Sequence, residues 1–123
     1  MKKIVFYFFV IFTGFTLHAQ SIEVRPVTQT VNTSQVFITT VEIFQVQNLG
    51  GFELEIDFDS ILLQCNDMTL ESFLGSTGRT IFPLVNNIDN TNGLIEFAVT
   101  TLGASPPGPN GDGILLTIEW AAT

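Results

Sequence analysis

Asn48-Leu49-Gly50-Gly51-Phe52-Glu53-Leu54-Glu55-Ile56-Asp57-Phe58-Asp59 is the stretch on which the reading of this chain turns. Phe52, Leu54, Ile56 and Phe58 share one parity; Glu53, Glu55, Asp57 and Asp59 share the other. Successive residues of a β-strand point to opposite faces, so the stretch predicts a strand with one apolar and one acidic side. A helix would scatter both sets around its circumference. Gly50-Gly51 supplies a permissive backbone for the tight approach to that strand. The acidic side is then either a solvated outer face or a binding surface.

Working outward, the same alternation recurs. Ile22 to Val27 reads as a first strand that meets an edge or a bend at Pro26, and Thr28 to Gln35 reads as a polar turn. Val36 to Val46 is a long β-branched strand with Phe37, Thr39, Val41 and Ile43 on one face. After the quoted stretch, Ile61 to Leu63 predicts a short strand, and from Asn66 to Gly78 the periodicity is lost. Thr80 to Val85 is a further strand interrupted by Pro83, and Asn86 to Gly93 is a turn-rich connection whose strongest signal is Asn92-Gly93. Ile95, Phe97 and Val99 point inward from the next strand, with Leu94, Glu96, Ala98 and Thr100 outward. Ala104 to Gly113 is a Pro/Gly loop, and Ile114 to Trp120 closes the series with Ile114, Leu116, Ile118 and Trp120 facing the core. No segment offers ten residues of helical periodicity. The expectation is one all-β domain, an antiparallel sandwich of two sheets.

The N-terminus has a different grammar. Lys2-Lys3, an apolar run from Ile4 to Phe12, and Leu17-His18-Ala19 predict a secretory signal peptide over residues 1–19, cleaved after Ala19. Cleavage would leave residues 20–123 as a secreted domain with no further segment of membrane-spanning length. It would also take away the single histidine, both lysines and five of the twelve phenylalanines. Arg25 and Arg79 would then stand against all twelve acids, a formal charge of −10. Such a surface repels nucleic acid and anionic membrane, so neither is expected as a partner.

Candidate chemistry is sparse. Cys65, the lone cysteine, follows Ile61-Leu62-Leu63-Gln64 and reads as a small buried residue, since no histidine survives maturation to activate it. Gly108-Pro109-Asn110-Gly111-Asp112-Gly113, with Glu119 six residues on, nearly fits a calcium loop. Gly108 offers no side-chain oxygen at the first position, and a strand follows where a helix should start. No metal or cofactor is expected. Trp120 reads as core rather than as a sugar platform, Asn32-Thr33-Ser34 matches a glycosylation acceptor, and Asp57 with Asp59 does not amount to an acid–base pair. The chain is not expected to be an enzyme.

The order of these features resembles the cohesin domain, a jelly-roll sandwich allied to the carbohydrate-binding modules of polysaccharide-degrading systems. The likeness runs from Ile22 to Trp120 and is carried by Val46-Gln47-Asn48-Leu49-Gly50-Gly51-Phe52, Gly93-Leu94-Ile95-Glu96-Phe97-Ala98 and Gly111-Asp112-Gly113-Ile114-Leu115-Leu116-Thr117-Ile118-Glu119-Trp120. The resemblance implies a non-catalytic module whose partner is a dockerin, a small calcium-loaded protein module that docks on one flat sheet face. Carried onto this sequence, that face holds Gly51, Glu53, Glu55 and Asp57 on one strand and Glu96, Ala98 and Thr100 on another. Gly51 and Glu53 stand where the family places an Asn-x-Asp pair, so one carboxylate is kept and the amide is lost. The alternative is a carbohydrate-binding or adhesin-type sandwich that takes a polysaccharide. The resemblance also implies two strands beyond Trp120, one on the binding face and one beside the first strand. It therefore implies an incomplete domain, or one that self-associates or is completed through its open strand edges.

Overall fold

The structure is a computed structural model that describes residues 2–5, 7–12 and 20–123, with Ile4 the one side chain described in the first two segments. All of its regular elements are strands: β1 (Lys2–Val5), β2 (Tyr7–Phe12), β3 (Ser21–Arg25), β4 (Thr28–Val31), β5 (Val36–Val46), β6 (Gly51–Asp57), β7 (Leu63–Leu70), β8 (Thr80–Asp89), β9 (Leu94–Leu102) and β10 (Gly111–Ala122). They form two four-stranded sheets, ordered β3-β5-β10-β7 and β2-β6-β9-β8, with β1 and β4 paired as a separate ribbon. Every pairing is antiparallel. Apart from the β8–β9 hairpin, each connection from β5 onward carries the chain from one four-stranded sheet to the other. The antiparallel sandwich expected from the alternation is therefore the observed architecture.

One apolar cluster fills the space between the sheets. Phe52, Leu54 and Ile56 of β6 and Ile95, Phe97 and Val99 of β9 join Phe37, Val41 and Ile43 of β5 and Leu116, Ile118 and Trp120 of β10. On the inner face of the β2-β6-β9-β8 sheet, the Phe52 and Phe97 rings stack with centroids 5.8 Å apart. Phe58 meets Trp120 edge-on at 5.1 Å, joining the end of β6 to the opposite sheet. Trp120 is fully buried, and its indole Nε1–H donates to Thr39 Oγ1 at 2.9 Å. That bond explains how a hydroxyl sits on the apolar face of β5 without the cost of an unpaired buried polar group.

Where the strands depart from the sequence reading, bulges and turns are the cause. The strand expected at Ile61 to Leu63 begins only at Leu63, because Asp59 organises a turn: its Oδ1 accepts from Ile61 N, and its carbonyl accepts from Leu62 N and Leu63 N. It then runs on to Leu70 through a segment that looks aperiodic. Trp120 pairs with Cys65 and Glu119 with Asp67, so Asn66 is an extra residue. The buried set shifts parity there, from Leu63 and Cys65 to Met68. A second bulge at Leu115 breaks the expected row on β10 and leaves Ile114 40 % exposed, while Leu115 and Leu116 are both buried.

β8 likewise continues past Val85 to Asp89, and the turn to β9 is confined to residues 90–93. Asp89 closes it, accepting from Thr91 N, Asn92 N and the Asn92 amide, and these bonds, the Asn92 side chain first, hold its carboxyl below the usual range. Gly93, at φ 74°, takes the left-handed position that an Asn-Gly turn needs. The polar segment after Pro26 is a strand, β4, up to Val31, with the turn limited to residues 32–35.

Two pairings involve the segment read as a leader. β1 runs beside β4, with Lys2 opposite Val31 and Val5 opposite Thr28, and Ile4 is buried in the core cluster. β2 runs beside β6, with Tyr7 opposite Asp57 and Phe12 opposite Phe52. β2 thus stands on the sheet of β6, one of the two places for which the family resemblance implies a strand beyond Trp120. β1 does not stand at the other, since it pairs with β4 and not with β3, the first strand of the sequence reading. The cleavage position after Ala19 lies outside the described residues.

Candidate partner-binding face

The outward side of β6, β9 and β8 is built in four transverse rows. Strand register sets Gly51 beside Thr100 and Phe82, then Glu53 beside Ala98 and Val85, then Glu55 beside Glu96 and Asn87, and last Asp57 beside Leu94 and Asp89. Neighbouring strands lie ~4.8 Å apart, so each row is a short, nearly straight line of adjacent side chains. A bulge at Leu84 keeps both Phe82 and Val85 in register with this face although three residues separate them.

The rows differ in character. Glu55 and Glu96 form a like-charged pair on directly opposed positions, and Glu96 Oε2 accepts from Asn87 Nδ2 at 2.9 Å. One row away, Ala98 lies in a shallow depression of about 50 Å³ whose lining includes Glu53, Glu55, Glu96 and Val85. Beside it β8 leaves Phe82 49 % and Val85 41 % exposed. The result is a small apolar floor rimmed by carboxylates. Such a surface fits a side chain with an apolar stem and a cationic head.

No row contains a basic residue, and both arginines are engaged elsewhere. Arg25 pairs with Glu23 at 2.6 Å and lies 5.0 Å over the Phe44 ring on the opposite sheet. Arg79 donates from Nη2 to the carbonyl of Gly103, outside the rows.

The seven residues carried over from the family resemblance thus share one sheet side. Glu53, Glu55 and Asp57 are exposed, Glu96 and Thr100 are half-buried, and Gly51 and Ala98 are buried. A Cβ on Gly51 would stand 2.6 Å from the Val99 carbonyl oxygen, so this glycine sets the close approach of β6 to β9. The sequence reading missed Phe82, Val85 and Asn87, because it ended the strand at Val85 and could not foresee the bulge that restores parity. The run Ile81-Phe82-Pro83-Leu84-Val85, too apolar for a solvated edge, was the available signal.

Other singled-out residues have structural employment. Asn110 Oδ1 accepts from Asn48 N and Asp112 Oδ1 from Gln45 N, each at 2.8 Å, while Asn48 Oδ1 accepts from Gly108 N at 2.8 Å. The calcium-like motif therefore laces the β9–β10 loop to the β5–β6 loop. Glu119 reaches across to β7 instead, accepting from Asn66 Nδ2 at 3.0 Å. Cys65 is buried, and its thiol is pushed up to about 11, first by burial, with the Asp67 and Glu119 carboxylates adding to the rise against the pull of a hydrogen bond to the Asp67 carbonyl. Among the described residues no three His, Cys, Asp or Glu side chains group as metal ligands.

Against known proteins, no family model and no curated sequence matches the chain. Its backbone does have a counterpart. A chain in the crystal structure of a type II cohesin–X–dockerin complex from Acetivibrio cellulolyticus, an N-terminal interface mutant, aligns with a TM-score of 0.59 at 15 % sequence identity. The alignment covers 82 % of this chain and 68 % of that one. The fold is cohesin-like. In the cohesin-like sandwich described here, the four rows occupy the sheet β2-β6-β9-β8, and the loop lacing belongs to one end of the same sandwich.

Proposed function

We infer that this cohesin-like domain is a secreted, non-catalytic protein-interaction module that presents the β6-β9-β8 face to a dockerin-like partner. The observation that carries the reading is the composition of the rows: an apolar floor at Ala98 and Val85 rimmed by Glu53, Glu55 and Glu96, with no basic side chain among them. The structural counterpart comes from a complex with a dockerin, which supports a protein partner of that kind. The leader over residues 1–19, removed after Ala19, would deliver the domain outside the cell, where polysaccharide-degrading assemblies work. Phe82, half exposed at the end of one row, is the feature that favours a carbohydrate-binding alternative.

Capture experiments separate the two readings. The protein should retain a basic-faced protein from the native secretome, and retention should weaken as salt rises. Glu53→Lys and Glu55→Lys should each reduce capture far more than Glu23→Lys on the opposite sheet. Equal losses from all three would refute the assignment of the face. Retention on polysaccharide with no protein partner, lost on Phe82→Ala, would favour the alternative.

A further inference from the structure

The rows describe a face; β6 also has an edge. Its seven residues pair with β9 on one side without a register shift, and six of them, Phe52 to Asp57, pair with β2 on the other, again without one. Other edges of the two sheets are blunted: β8 carries Pro83 and the Leu84 bulge, β7 bulges at Asn66, and β3 is only five residues long. An unbroken, unprotected strand side is a template for another strand. On that side the structure seats Tyr7–Phe12, with Phe8 opposite Ile56, Val10 opposite Leu54 and Phe12 opposite Phe52.

The current occupant satisfies only half of what β6 presents. Phe52, Leu54 and Ile56 are core residues, and the positions in register with them, Phe12, Val10 and Phe8, are apolar in sequence. The alternate positions, Glu53, Glu55 and Asp57, are exposed acids, and opposite them stand Ile11, Phe9 and Tyr7. Opposite charge at directly facing strand positions is favourable by ~0.2–1 kcal/mol per pair. We propose that this side of β6, from Gly51 to Asp57, is a strand-acceptor site for an extended segment of another protein that runs antiparallel to β6 and alternates apolar with basic residues. Residues 7–12 hold the site in the uncleaved chain, and loss of the leader vacates it. Backbone pairing supplies affinity, and the acidic row selects the sequence. Glu53, Glu55 and Asp57 serve both the edge and the face, but strand pairing is read by peptide binding and hydrogen exchange along β6, and docking on the four rows by partner capture, so the two fail distinguishably.

The test uses the full chain. Val10→Pro removes a backbone donor from the middle of β2 and should release that strand from β6. Fluorescence anisotropy then compares three peptides of equal length: alternating valine and lysine, the same with a central proline, and alternating valine and glutamate. The released variant should bind the valine–lysine peptide at least tenfold more tightly than either control, with slowed hydrogen exchange over residues 51–57. Equal binding of the proline-interrupted peptide would overturn the proposal, since charge attraction without strand pairing would then suffice. Should Val10→Pro fail to fold, the unmodified chain decides the matter by competition. Excess valine–lysine peptide should displace residues 7–12 and expose them to protease, and the absence of any such exposure would also overturn the proposal.

Discussion

Glu55→Lys should make this domain more stable and a poorer binder at the same time. Glu55 and Glu96 occupy directly opposed positions on β6 and β9, and the Asn87 amide holds the Glu96 carboxylate in place on the far side. Taking the two carboxylates as ~6 Å apart in a water-like dielectric gives ~0.7 kcal/mol of repulsion before screening. A Debye length of ~8 Å at physiological salt halves that to ~0.3 kcal/mol, while at ~0.01 M most of it survives. Reversing one charge turns repulsion into attraction, so the gain is about twice the pair energy: ~0.7 kcal/mol at physiological salt and ~1.2 kcal/mol at low salt. For a domain of this size that is a rise of roughly 3–6 °C in the unfolding midpoint. Thermal unfolding in low and high salt, run as a double-mutant cycle with Glu96→Gln, isolates the pair from the general benefit of removing an acid from an acidic chain. A coupling of zero at low salt, or a lower midpoint for Glu55→Lys, would show that the register-derived pairing carries no energy and would remove the electrostatic basis of the face.

Two further outcomes follow from buried positions. Gly51→Ala should cost ~1–3 kcal/mol and weaken partner capture, because its Cβ would stand 2.6 Å from the Val99 carbonyl and push β9 off β6; Gly50→Ala, whose nearest neighbour is the Arg79 guanidinium at 4.0 Å, should be close to neutral by chemical denaturation. Cys65 sets an alkaline limit. Its thiol stays protonated in the fold up to about 11 against an ordinary value of 9.0, so the folded state binds more protons between those values and stability falls as pH rises through that window. The loss should approach ~3 kcal/mol, be absent below pH 9, and vanish from that window in Cys65→Ala; identical pH slopes in both proteins would refute it.

The parts of this fold that were legible are those where side-chain parity runs unbroken. From Phe52 to Asp57 and from Phe37 to Ile43 the buried set alternates without interruption, and from Ile95 to Val99 the large apolar residues Ile95, Phe97 and Val99 keep one parity, with only the small Ala98 buried on the other. Parity fails wherever one residue is inserted into a ladder. Asn66, Leu84 and Leu115 each do this, and each marks a place where strand limits or facing were misread. A single sequence gives no local sign of a bulge, because the extra residue is identified by what pairs across from it. The same limit applied to the candidate face. Its β6 and β9 contributions lie on unbulged strands and were visible, while the β8 contribution lies across a bulge and was not.

That contrast bears on why the acidic row sits on β6. A strand with bulges protects itself against further pairing but cannot offer a straight line of identical charges, since each insertion turns the row over. β6 keeps its register on both sides, so Glu53, Glu55 and Asp57 stay collinear and the inner Phe52, Leu54 and Ile56 stay in the core. Straightness produces both properties together: a charged row able to steer a basic partner, and an edge able to accept a strand. The acids answer the hazard that straightness creates. A strand with acids at the facing positions, including a second copy of β6 itself, would meet like charges opposite Glu53 and Glu55, and such pairs are unfavourable. A basic strand would meet complementary ones. The row that makes the face specific therefore also guards the edge, and neutralising Glu53 and Glu55 together should loosen discrimination at both.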